Sequence, residues 1–361
     1  MSSSMREITA PFQTPPVPGH VIEVAEGVLW CRMPLPLALD HINVYLIDIG
    51  TGWLIVDTGM KGDKTQTLWL QIIEQHLGGR PVVAVLCTHM HPDHIGQAGW
   101  LVNQFKVPFY MSQGEYLHAR TFTATERGKP TSWRTQDYFS QAGLSEQQVT
   151  AITAGFGGFS KLVEPIPSNY IRLRDGQTFD WGKHQWQVVV GRGHSPEHAC
   201  LYCPALNILL AGDQVIEGIS SNVSVLAIEP DAEPLADWLA SIERFKLLPD
   251  DLLILPAHRL PFYGLHRRLE QLAEHHEEHL QALLVACQQP HTAVELLPVL
   301  FKRDITSAVM TLALGECLAH LHELLSRGQL RRDLVAGVHQ FTATVVAEAD
   351  KGYQPGEQLT V

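Results

Sequence analysis

The chain has no run of about 18 apolar residues, the length a membrane-spanning helix needs. Its longest apolar stretches are short pieces such as Val82 to Cys87, so no membrane partner is expected. Positive charge is scarce. Against 38 Asp and Glu stand 26 Lys and Arg, a formal net charge of −12, which repels a polyanion on average and makes nucleic acid an unexpected partner. Cysteine is also sparse: Cys31, Cys87, Cys200, Cys203, Cys287 and Cys317 are scattered over 361 residues and form no disulfide framework. Cys200 and Cys203 are the one close pair; three apart on a strand they face opposite sides, so two buried thiols are expected rather than a redox pair or half a zinc site. The first residues, Met1 to Glu7, lack the charged and then apolar architecture of a secretory signal, which makes the cytoplasm the expected compartment.

What is present is ordinary globular material, 45% hydrophobic and 18% charged, long enough for two domains or one large domain with an appendage. From Gly27 to about Ala211, short β-branched runs alternate with turn signals: Val28–Trp30, Asn43–Ile47, Trp53–Val56 and Pro81–Leu86. Lys64 to Leu77 has helical spacing between the third and fourth runs, so strand, helix and strand follow one another and layered α/β (α+β) structure is expected. A second strand group runs from Tyr170 through the Asp175-Gly176 turn to Trp186–Val190, Ala199–Tyr202 and Ile208–Leu210, which suggests a second sheet. Residues 112–168 interrupt the pattern as a helical insertion. Ser145 with Gln148 predicts a capped helix start there. Trp133, Tyr138, Phe139, Phe156 and Phe159 provide aromatic surface, either as a lid over a site or as a satellite core under a long loop.

Beyond the strands, Leu265, Leu269, Leu272, Ala273, Leu280, Leu283 and Leu284 mark one face of a long helix. That face could mediate a homodimer. The opposite face, with His275, His276, Glu277, Glu278 and His279, is expected in solvent. Thr292 and Glu295 predict another capped start, and Gly328 closes a helix through Leu314, Leu318, Leu321 and Leu325. A small, mostly helical domain is expected over 265–345, with a tail at 346–361.

The strongest chemical signal is Thr88-His89-Met90-His91-Pro92-Asp93-His94 directly after the apolar run Val82 to Cys87. An H-x-H-x-D-H pattern arises by chance in about two chains per thousand of this composition. His89 and His91 can point to one side as the chain leaves a strand, while Asp93 and His94 turn away as a helix begins, so two adjacent metal centres follow. Imidazole and carboxylate without thiolate suit a catalytic Zn²⁺, Fe or Mn site more than a structural zinc. Further on, His194, Asp213 and His258 each follow an apolar run.

With these residues in this order, the chain over about 25–264 resembles the metallo-β-lactamase superfamily. The resemblance implies an αββα sandwich with a two-metal site in a cleft at one edge, preceded here by an N-terminal extension, 1–24. It assigns His89, His91 and His194 to one metal, Asp93, His94 and His258 to the other, and Asp213 to both, with Asp57 bracing the site and Asp93 orienting the attacking water. The implied cofactor is a pair of divalent ions, Zn before Fe or Mn. A His at position 91 rather than Glu argues against the oxygen-reducing flavo-di-iron branch, and Asp213 rather than Cys against the antibiotic-degrading β-lactamases. Two departures stand out. Pro256-Ala257-His258-Arg259 replaces Pro-Gly-His-Gly, making Arg259 a candidate substrate contact; Glu197 replaces a usual glycine, beside His198 as a candidate support.

The C-terminal segment resembles the winged-helix-like domain of beta-lactamase-like protein 2 and its bacterial relatives, through Ala319-His320-Leu321 and Arg327-Gly328-Gln329-Leu330. Four functions compete. A thioesterase or esterase leads, its acyl chain covered by Trp133, Tyr138, Phe156 and Phe159. A lactonase, an RNA-cleaving phosphodiesterase and a non-enzymatic metal-stabilised binding protein are the alternatives.

Overall fold

The computed structural model describes residues 6–36, 39–125, 131–302, 305–306 and 309–344; the expected tail, 346–361, lies outside them. In chain order the elements are β1 (Ile22–Ala25), β2 (Val28–Pro34), β3 (His41–Asp48), β4 (Trp53–Val56), α1 (Asp63–His76), β5 (Val82–Leu86), α2 (Pro92–Ile95), α3 (Ala98–Phe105), β6 (Phe109–Ser112), α4 (Gln113–Ala124), α5 (Trp133–Gln141), α6 (Glu146–Thr153), α7 (Phe159–Leu162), β7 (Ile171–Leu173), β8 (Thr178–Trp181), β9 (His184–Gly191), β10 (His198–Cys203), β11 (Ile208–Gly212), α8 (Pro234–Phe245), β12 (Leu253–Pro256), α9 (Leu265–Ala286), α10 (Ala293–Leu300), α11 (Met310–Ser326), β13 (Leu330–Val335) and β14 (Val338–Ala343).

Strands β1 to β7 form one sheet in sequence order, and β12-β11-β10-β9-β8 form a second. The two stack face to face because their strands alternate apolar residues on both sides. In β2, Val28 and Trp30 join the core between the sheets, with Val188, Leu201 and Leu255 opposite, while Leu29, Cys31 and Met33 turn to the outer face, under Trp69 and Ile72 of α1 and Leu101 of α3. The outer face of the second sheet, Cys200, Leu209 and Ile254, is covered by α8, α9 and α11. The result is a four-layer αββα sandwich.

The strand grouping differs from expectation at one point. Ile171–Leu173 pairs parallel with β6 in the first sheet, so the Asp175-Gly176 turn carries the chain across to the second sheet instead of closing a hairpin. Arg174 N donates to Gln177 Oε1 and Gln177 N to Arg174 O, which closes the turn locally. Both expected capping boxes are present, at Ser145 and Thr292.

The insertion divides between two cores. Phe122 and Phe159 pack together on the first sheet's side, whereas Tyr138, Phe139, Val149 and Ile152 join the core of the C-terminal helices. It is a packing element rather than a lid. Behind the sandwich, α9, α10 and α11 with the β13–β14 hairpin share that same core. The leucine face of α9 is consumed there, so it is no free dimer surface. Its opposite face is divided: His276 is fully buried and His279 6% exposed, where α8 and α11 cover α9, while Glu277 and Glu278 stand exposed as expected.

Candidate metal centre

Each functional side chain sits where an apolar strand ends. Strand β5 stops at Leu86; Pro92 then opens α2, with His91 as the preceding extended residue, the conformation a following proline favours. His89 and His91 therefore leave the strand on one side, and Asp93 and His94 ride the first helical turn. His194 follows β9, Asp213 follows β11 and His258 follows β12. All seven converge. The ligand atoms of His89, His91, His194 and Asp213 form one group within 4.8 Å, and those of Asp93, His94 and His258 a second. Asp213 lies between them: its Oδ2 is 3.4 Å from both His94 Nε2 and His194 Nε2, and its Oδ1 is 3.5 Å from His258 Nε2.

The imidazoles are held from behind. His89 Nδ1 lies 3.1 Å from Thr88 Oγ1, His94 Nδ1 donates to Asp57 Oδ2 at 2.9 Å, His194 Nδ1 donates to Asn222 O at 2.7 Å and His258 Nδ1 donates to His41 O at 2.9 Å. Such partners fix the tautomer and aim the other ring nitrogen inward. Asp57 also accepts from Thr88 N and Thr88 Oγ1, and its backbone adopts φ 61, which few non-glycine residues do without compensation. His198 Nε2 accepts from Asp213 N at 3.0 Å. That contact requires Gly212, where an added Cβ would sit 2.5 Å from the His198 ring.

Charge in the site is arranged around cations. Burial depresses His89, reinforced by His94 and His91, and burial and His194 hold His91 at about 3. Burial works against the charge on His94 too, but the carboxylates of Asp213, Asp93 and Asp57 outweigh it and keep its pKa well above the ordinary range. His258 is raised in the same way by Asp213 and Asp93. Against their own burial, Asp93 and Asp213 stay ionised through His94 and His258. Two protons thus stand where positive charge is wanted. His94 Nε2 and Asp213 Oδ1 are buried without a hydrogen-bond partner, and His89 Nε2 is 2.9 Å from His91 Nδ1 and 3.3 Å from His194 Nε2. Lone pairs facing one another at such distances, in a set of imidazoles and carboxylates, fit divalent cations.

Glu115 is a supporting residue that escaped the sequence. At the start of α4 and fully buried, it accepts from Met90 N, Ser195 Oγ and Glu197 N at 3.0, 2.6 and 2.7 Å. It ties the segment that carries His89 and His91 to the one that carries His194. No local signal marks it: Asp57 and Asp213 directly follow a strand, whereas Glu115 lies inside α4, beyond the end of β6.

The donors open on a cleft of about 450 Å³ lined by His91, Asp93, His194, Asp213 and His258, by the loop after β11 and by Leu312 of α11. The proposed substrate contacts are elsewhere. Trp133 and Tyr138 border a different surface hollow near α11 and β14, where Tyr138 Oη donates to Val225 O; Phe156 and Phe159 pack into the two helical cores. Arg259 is exposed on the far side of His258, beside Arg32 and His41, with a backbone φ of 69 that turns its side chain outward.

Comparison with known proteins matches residues 37–258 to the model described as the metallo-beta-lactamase superfamily and residues 280–344 to the metallo-beta-lactamase-like C-terminal domain. A β-lactamase domain protein from Burkholderia ambifaria is 40% identical with a TM-score of 0.86, over 93% of this chain and 98% of that one. A metallo-beta-lactamase family protein from Thermus thermophilus is 27% identical with a TM-score of 0.74, over 89% and 100%. Among curated relatives, a linear primary-alkylsulfatase from Pseudomonas is 23% identical over 61% of this chain and 42% of its own length. An atrochrysone carboxyl ACP thioesterase from Aspergillus fumigatus is 24% identical over 62% and 40%. Fold, donor set and family match agree: the chain belongs to the metallo-β-lactamase superfamily and is a metal-dependent hydrolase.

Proposed function

We propose that this enzyme hydrolyses acyl thioesters or esters with an apolar acyl chain, using two divalent cations held by His89, His91 and His194, by Asp93, His94 and His258, and by Asp213 between them. The observation that carries the reading is the cleft lining. Leu39, Ile216, Ile219, Leu226, Ile228 and Leu312 offer apolar wall, Glu229, Glu233 and Asp237 are its charged residues away from the donors, and no Lys or Arg is among the described lining residues. A sulfate ester or a phosphodiester would meet no protein counter-charge there, whereas an acyl chain meets hydrocarbon.

When bound, the cations supply Lewis acidity and, by acidifying water, a nucleophile at neutral pH. Asp93, ionised and facing the cleft, orients the attacking water, takes its proton and returns it to the departing thiolate or alkoxide. Asp57, Asn222 and the His41 carbonyl keep the imidazoles aimed. The apolar wall desolvates the acyl chain, and at about 0.8 kcal/mol per buried methylene each added carbon should raise kcat/KM about fourfold until the cleft is filled. No described helix is long and apolar enough to cross a membrane. The six cysteines are buried free thiols, which suits the cytoplasm.

The test is a panel of acyl thioesters of increasing length, lactones, alkyl sulfates and single-stranded RNA, offered to metal-loaded enzyme. Thioester turnover that rises with chain length supports the proposal. Turnover of alkyl sulfate or RNA without thioester turnover rejects it.

A further inference from the structure

The C-terminal unit reaches the metal centre through one buried acid. Glu316 sits on α11, 2% exposed, and its Oε2 accepts from Asn222 Nδ2 at 2.7 Å. Asn222 belongs to the loop that lines the cleft, and its backbone carbonyl accepts from His194 Nδ1 at 2.7 Å. The Asn222 amide is engaged on its other side too, with Oδ1 accepting from Ser224 Oγ at 2.5 Å. The helix is pressed close to this loop: Val225 N donates to Gly315 O at 3.0 Å, and a Cβ at Gly315 would stand 2.8 Å from Ser224 Cβ and from Val225 O. Only a glycine lets α11 approach so near. One turn earlier on the same helix, Leu312 lines the cleft.

We propose that Glu316 is a positioning residue for the metal centre: through Asn222 it fixes the carbonyl that sets the tautomer and aim of His194, so that the C-terminal unit completes the active site. A backbone carbonyl on a cleft loop is free to drift unless its residue is anchored, and the Glu316–Asn222 bond is the carboxyl anchor, beside the Ser224 contact and a longer one of 3.5 Å from Asn222 Nδ2 to Leu312 O. Burial pushes the Glu316 carboxyl up to about 7; its Oε2 can accept from the amide in either protonation state. The arrangement gives the C-terminal unit a role that requires no nucleic acid, in keeping with the chain's net charge of −12.

This inference rests on His194 being a metal ligand, and the test separates the two. Metal affinity is measured by competition with a chromophoric chelator, alongside kcat and KM for a thioester substrate and the unfolding temperature, in full-length chain. His194→Ala should lose one cation; if it does not, the ligand assignment falls and the inference with it. Glu316→Ala and Asn222→Ala should each weaken metal affinity by about 10–100-fold, the usual cost of removing an outer partner of a ligand, and lower kcat with little change in KM. The double variant should be no worse than either single one, and Glu316→Gln, which keeps an acceptor oxygen, should recover most of the loss. Glu323→Gln, on the same helix but paired with Arg327, should leave metal affinity unchanged. Should Glu316→Ala not fold, Asn222→Ala alone carries the test. Wild-type affinity in folded Glu316→Ala and Asn222→Ala with His194→Ala impaired, additive losses in the double variant, or an equal loss in Glu323→Gln would overturn the proposal.

Discussion

In the sandwich, five histidines and two aspartates meet at the strand ends; in the C-terminal helices, His275, His276 and His279 of α9 meet His320 of α11. Both groups are buried, and in both the rings stand close together, 4.5 and 5.0 Å from His89 to His91 and His194 and 4.2 to 5.4 Å around the second group. They part at the nitrogens. In the first group four imidazoles have a fixed partner behind them, and two carboxylates counter the charge a cation would bring. The second has no carboxylate among the four, and a single rear anchor, His320 Nδ1 to Glu316 O at 2.8 Å. His276 Nδ1 meets His320 Nε2 at 3.1 Å, while His275 Nε2, His276 Nε2 and His279 Nδ1 are buried without partners. Among the described residues no three of its donor atoms converge as the first group's do. Histidines gathered in a core therefore do not make a metal centre; outward anchors and acids do.

The same substitution in both places gives the sharpest contrast. His89→Ala should abolish turnover and bound metal, a loss of more than about 10³-fold, as befits a group that acts on the transition state through the cations. His276→Ala should leave metal content and kcat unchanged and lower only the unfolding temperature. Elemental analysis by mass spectrometry with a turnover assay decides it, and metal lost from the His276 variant would break the comparison. Asp57→Asn comes next: the amide can present NH₂ where His94 Nδ1 donates, and metal affinity should fall by about 10–100-fold, read by chelator competition. The charge pattern predicts proton release of intermediate size. His94 and His258 are raised above the ordinary 6.5 before metal enters, so both must shed protons to bind. Affinity should keep rising with pH above 6.5, and calorimetry in buffers of different ionisation enthalpy should register about two protons released near neutrality. No release would mean the carboxylates do not govern these imidazoles.

Much of this was legible because strand-end residues announce themselves. H-x-H-x-D-H is local, and His194, Asp213 and His258 each follow an apolar run, but it is the resemblance to the superfamily that assigns them, with Asp57, to one site. Asn222, Glu115 and Glu316 could not be gathered the same way, because each acts on a segment distant in sequence and nothing local marks that meeting. The aromatic residues of the insertion misled for a related reason: their size says that they will be buried, but not against what, and Tyr138 and Phe156 go to the C-terminal core. The histidine face of α9 was misjudged because polarity was read as outward. α8 and α11 cover the side that carries His276 and His279, while Glu274, Glu277, Glu278 and Gln281 keep the outward side.

The smallest expected effect concerns that face, and it depends on pH. Burial, with His275 and His320 nearby, holds His279 at about 2, and burial holds His320 at about 4. In the unfolded chain these rings take a proton near 6.5, but in the folded chain they do not, so the unfolded state binds more protons on acidification. Stability contributed above pH 6.5 is therefore lost as pH falls through 6.5 toward those lower values. His279→Leu removes one such ring and replaces an unpartnered nitrogen by methyl groups of similar reach, which is close to neutral at pH 7.5. Its advantage over wild type should then grow below pH 6 by about 1.4 kcal/mol per pH unit, the value of one proton. Urea unfolding at pH 7.5 and 5.0, with chelator present throughout, measures this. His94 and His258 titrate identically in both proteins and cancel. A variant that acid destabilises as steeply as wild type would show that His279 already exchanges protons with water in the folded state, and that the second cluster is less closed than the first.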